Sequence, residues 1–164
     1  MLQALLIVDK LLLFVVVIWA AVVDARVWRI PNVLVACGAV GKLLLMVGEG
    51  LLAGDGVAAL GRSLGLALLS ALGVLLFMLL AALLLRKGAT DDDSPIGGGD
   101  IKLMCTVALW FDFTAALTIL ALACIIALVV ALIRSRGQLR LLGGFPFAPY
   151  IAIATAVVFL GTLL

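Results

Sequence analysis

Two aspartates stand where a carboxylate is costly. Asp24 closes one apolar run, and Asp100 opens another, directly after Gly97, Gly98 and Gly99 and two residues before Lys102. The other acids differ in setting. Asp91, Asp92 and Asp93 form a like-charged run that reads as a solvated turn, and Asp9, Glu49, Asp55 and Asp112 fall towards the opposite ends of their apolar runs. Two carboxylates in one wet cleft suit a particular chemistry. Like charges a few ångströms apart cannot both ionise, so they share a proton. The ionised member takes a proton from a water held between them, and the protonated member donates to a carbonyl oxygen under attack. Such a pair titrates as a unit and needs neither metal nor cofactor. Both residues also have plain structural readings: Asp24 as a helix end beside arginines, and Asp100 as an N-terminal cap, where a carboxylate is favoured.

The rest of the composition narrows the chemistry. There is no histidine, which removes histidine-based nucleophile pairs and the usual zinc sites. Cys37, Cys105 and Cys124 sit singly in apolar stretches without a C-x-x-C spacing and read as small buried hydrophobes. A net charge of +2 is too small to point to nucleic acid.

The elements that must position the aspartates lie in lipid. Of 164 residues, 67% are apolar and 12% charged, against about 45–50% and about 25% in soluble domains. Mean hydropathy is +1.44. In a bilayer the backbone must satisfy itself in helices or a closed barrel, and continuous Leu- and Ala-rich runs favour helices. Spans are expected at 4–23, 33–52, 63–85 and 146–164, with a long run at 101–133. That run has 33 residues, near ~50 Å of helix against a ~30 Å hydrocarbon core. The polar break at Trp110, Phe111, Asp112 and Phe113 splits it into a short fourth span and a full fifth. The expected fold is all-α: a bundle of six transmembrane helices forming a single membrane domain over residues 1–164.

Charge supports the split. With six spans, the loops at 24–32, 86–99 and 134–144 share one side and carry Arg26, Arg29, Arg86, Lys87, Arg134, Arg136 and Arg140, while those at 53–56 and 110–113 carry no Lys or Arg. The positive-inside rule places the basic side in the cytoplasm and both termini outside. A fourth span of about ten residues cannot cross alone, so the glycine segment makes up part of the depth and Asp100 falls at or just below the cytoplasmic surface. Gly97, Gly98 and Gly99 then read as room for an extended backbone beside Asp100, or as a plain helix breaker. Lys102 points away from Asp100 on a helix and either snorkels or supports the site. Lys42, near mid-membrane, is either functional or reaches a surface. Pro31 and Asn32 start the second helix, with Asn32 as a cap, and the spacing of Gly61 and Gly65 suggests helix packing.

These residues carry a resemblance. "GGGDIKL" (97–103) resembles the G-x-G-D motif of the type IV prepilin peptidase family, the bacterial membrane aspartyl proteases. "DARVWRIPN" (24–32) is similar to that family's first-aspartate region, and "FPFAPYIAIAT" (145–155) to its last-helix P-F-x-P segment. The resemblance covers most of the chain, in the family's order. It implies a six-span peptidase of the bacterial cytoplasmic membrane with its active site facing the cytoplasm and Asp24 and Asp100 as the catalytic pair. It also implies a prepilin or pseudopilin substrate, cut on the cytoplasmic side of its hydrophobic helix. Larger members carry a cytoplasmic domain, often with paired C-x-x-C zinc ligands, and methylate the new N-terminus. This sequence shows neither that domain nor those cysteine pairs, so methyl transfer is not expected, and the small size is similar to the Tad (Flp) pilus peptidases. Two other functions remain open at this point. One is a broader intramembrane aspartyl protease. The other is a small proton-coupled transporter or assembly protein, which would need polar residues along a full crossing.

Overall fold

The computed structural model describes residues 2–54, 56–86, 96–134 and 146–162, and these residues form six α-helices. They are α1 (Leu2–Val27), α2 (Asn32–Ala53), α3 (Val57–Arg86), α4 (Gly98–Val107), α5 (Phe113–Arg134) and α6 (Ala148–Gly161). The helices α1, α2, α3 and α5 are long and apolar enough to cross a bilayer. The long apolar run divides as expected, into a ten-residue α4 and a 22-residue α5. Asp112 starts α5 by accepting the Ala115 backbone N–H at 2.7 Å, the usual work of an N-cap carboxylate. α3 begins six residues before the expected 63, because Gly61 and Arg62 are absorbed into the helix.

Neighbour relations explain how so short a helix is kept. α1 packs on α2, α2 on α3, α3 on α5, α5 on α6 and α6 on α1, which closes a ring; α4 touches all five. Its Leu103, Met104 and Val107 are completely buried. The inward residues of α1 recur at helical spacing, Leu13, Val16, Val17 and Ala20, while Leu11, Val15, Ile18 and Trp19 lie exposed on its other face. Apolar side chains outside and inside alike are what a lipid solvent requires.

Glycine sets the close approaches, though not where the spacing suggested. A Cβ on Gly38 would meet Val16 of α1 at 2.9 Å and the Thr106 methyl of α4 at 3.4 Å, so three helices converge on that missing side chain. By contrast, a Cβ on Gly61 or Gly65 would meet nothing within 4 Å, and this pair packs no helix among the described residues.

Candidate active site

The C-terminal end of α1 and the N-terminal ends of α2, α4 and α6 converge at one end of the bundle. There Asp24 and Asp100 line one pocket of about 250 Å³, together with Gly97, Gly98 and Gly99 and the α1–α2 connection from Trp28 to Asn32. Asp24 belongs to the last turn of α1, not to a loop, and is 6% exposed. Its Oδ2 accepts the Ala148 backbone N–H at 3.0 Å, so the first turn of α6 supplies a donor to a carboxylate otherwise withdrawn from water. A free N–H at a helix start suits this task, since those groups lack intrahelical partners. Asp100 sits in the first turn of α4, partly buried, and its carboxylate accepts no hydrogen bond from the described residues. It is not the cap: Gly97 holds that position, without a side-chain cap bond.

The glycines before Asp100 have separate tasks. A Cβ on Gly97 would lie 2.8 Å from Asp100 Oδ2, so its absence leaves the carboxylate room to turn back. A Cβ on Gly99 would crowd the Ile30 Cβ at 3.1 Å, so its absence lets α4 seat against the α1–α2 connection. A Cβ on Gly98 would meet open space in the pocket wall. Lys102 does not point at either acid. Its ammonium donates to Asn32 Oδ1 at 2.8 Å and ties the first turns of α4 and α2 together. Asn32 is therefore occupied by Lys102, and α2 is capped at Pro31 without a side-chain bond. Arg29 remains on the pocket wall as its cation.

Other polar groups fall elsewhere. Lys42 pairs with Asp9 at 2.9 Å, away from the pocket, and is buried within the bundle. A larger groove of about 620 Å³ lies between α3 and the turn after α4; the acid lining it, Asp112, is the α5 cap. Among the described residues no three His, Cys, Asp or Glu side chains gather as a metal site. The acidic run Asp91, Asp92 and Asp93, with Asp55, Lys87, Arg136, Arg140 and Phe145, lies outside the described residues.

Three contributors to the pocket were not singled out from sequence: the Ala148 N–H, because a backbone donor has no side-chain signature; Trp28, placed only within a loop and a similar segment; and Arg29, whose own side chain was weighed for topology. The proline-rich start of α6 was the available hint to the first.

The family model for the type IV leader peptidase family matches residues 11–132, which include both aspartates. The chain belongs to the type IV leader peptidase family, and the helical bundle is that of an integral membrane peptidase. No curated protein and no solved structure matches it.

Proposed function

We propose that this protein is an aspartyl endopeptidase that removes the leader of type IV prepilins or pseudopilins, of the Flp (Tad) kind, at the cytoplasmic face of the bacterial inner membrane. The observation that carries this reading is the single pocket that Asp24 and Asp100 share, in a chain of the leader peptidase family. A water between the carboxyl groups gives a proton to the ionised aspartate as its oxygen bonds to the scissile carbonyl carbon. The protonated aspartate gives its proton to the carbonyl oxygen. The tetrahedral gem-diol collapses as the C–N bond breaks: the protonated carboxyl group gives its proton to the departing amine, the ionised one takes the proton of one hydroxyl as the C=O re-forms, and the pair again holds one proton. The substrate is proposed to enter as an extended peptide, for which Gly98 leaves open space beside Asp100.

A proton-relay transporter is disfavoured by what separates Asp9 from Asp24 along the inward face of α1. Those positions are Leu13, Val16, Val17 and Ala20, each at most 3% exposed. The new N-terminus is proposed to leave unmethylated, which mass spectrometry of the product checks.

The deciding experiment co-expresses a prepilin with the wild-type chain, Asp24→Asn or Asp100→Asn and follows leader loss on a gel. Each variant should reach the membrane at wild-type levels and lose cleavage by roughly 10²–10⁴-fold, the usual contribution of a positioned acid or base. Near-normal processing by either variant would end the two-aspartate reading.

A further inference from the structure

The buried charges that this chemistry leaves unused gather at the opposite end of the bundle. Asp9 on α1 and Lys42 on α2 are each 8% exposed. The Lys42 ammonium donates to both Asp9 carboxylate oxygens at 2.9 Å. Trp110, in the turn that ends α4, donates its indole N–H to the same carboxylate at 2.9 Å and to the Asp9 backbone oxygen at 3.2 Å. The ammonium also lies 5.6 Å from the centre of the Trp110 ring. One knot thus joins α1, α2 and the end of α4.

Stability alone is a weak reason for such a knot. Buried ion pairs recover little beyond their desolvation cost, and apolar replacements of both partners commonly fold as well or better. Direction is a stronger reason. From the knot to the pocket, no hydrogen bond or ion pair joins α1 to α4 among the described residues. Their contacts there are apolar, as at Gly38, where Val16 and Thr106 close in. Apolar contact is non-directional and resists sliding poorly; a charge-assisted hydrogen bond fixes a geometry. A slip of one residue moves Asp100 by about 1.5 Å along α4, and misplacement of about 1 Å costs about a hundredfold in rate.

We propose that Asp9, Lys42 and Trp110 form a distal clasp that sets the register of α4 against α1, and through it the separation of Asp24 and Asp100. They are positioning residues, and the proposal rests on the reading of those two aspartates as the catalytic pair.

Three variants separate positioning from mere stabilisation. Trp110→Phe deletes the N–H and keeps the ring. Lys42→Met strands the Asp9 carboxylate. Asp9→Leu/Lys42→Met removes both charges and should melt near the wild-type temperature. In proteoliposomes holding a prepilin, kcat per folded enzyme should fall about tenfold or more in the double variant while KM stays within about twofold. A second arm does not depend on catalysis. With Cys37, Cys105 and Cys124 replaced by alanine, Asp24→Cys and Asp100→Cys are bridged with thiol cross-linkers of graded length. One length should be preferred with the clasp intact, and the preference should be lost, with slower bridging, in the double variant.

A double variant that melts, turns over and cross-links like the wild type overturns the clasp. If that variant fails to fold, Trp110→Phe decides by the same readouts. If the unaltered chain cleaves no prepilin, the reading of the site fails instead, and cross-linking still judges the clasp.

Discussion

Trp28 ends α1 with φ at 59°, in the left-handed region that bulky residues seldom enter. Its N–H still closes the helix on Asp24 O at 2.9 Å, so the unusual conformation belongs to the turn that holds the acid. Glycine would take that conformation without strain, whereas a tryptophan there costs on the order of 1–3 kcal/mol. The side chain is 57% exposed and lines the pocket, where a broad amphipathic ring is placed to meet a substrate or the headgroup layer. Trp28→Gly should therefore raise the thermal midpoint, by relief of roughly 1 kcal/mol, and raise KM for leader cleavage. Higher stability with unchanged KM would make the residue incidental. The glycines before Asp100 separate in the same way. Gly97→Ala forces the Asp100 carboxylate to rotate from a contact of 2.8 Å and should lower kcat. Gly98→Ala meets no protein atom and should act on KM, through crowding of the substrate. Steady-state kinetics on the purified variants distinguishes the two.

Among the elements, α4 depends most on its ties. Ten residues are too few to be stable alone in water, so packing and anchoring must hold the helix. The Lys102–Asn32 bond anchors its first turn to α2 at 2.8 Å, on an exposed surface. Its net contribution should be about 0.5–1.5 kcal/mol. Lys102→Met and Asn32→Ala should each slow cleavage modestly, and the double variant should be no worse than either single one, which a double-mutant cycle on rate and melting reads directly. Additive losses would mean that the residues act apart. Much of this helix was legible beforehand: a run too long for one crossing and too short for two full ones, broken at Asp112, demanded a short member. Asp24 and Asp100 were legible because carboxylates abutting lipid stand out against a uniform background. The pairing of Lys42 with Asp9 and the engagement of Asn32 by Lys102 were not. Both depend on which faces of two helices meet, and helices apolar all round carry little periodicity to set that rotation. The Gly61 and Gly65 spacing misled for the same reason, since a small residue marks a possible contact and not which face is used.

At the scale of the whole molecule, the ring of α1, α2, α3, α5 and α6 holds α4 as a central post that carries one acid, while the wall carries the other. The wall also fixes a length. Fifteen helical steps along one continuous helix take Asp9 to Asp24, which is about 22 Å, less than the ~30 Å of hydrocarbon in an ordinary bilayer. The two polar levels of this protein are thus closer together than the two headgroup layers, and an apolar stretch this short is met by lipid thinning or by a wetted notch. In vesicles of one headgroup and increasing acyl length, leader removal should slow as the pocket rim is drawn below the interface, while Asp24→Asn and Asp100→Asn stay inactive throughout. A rate indifferent to acyl length would mean that the notch admits water at any depth. On this geometry and the proposed function, a cell that lengthens or shortens its lipids would change how fast leaders are removed and leave the peptidase itself untouched.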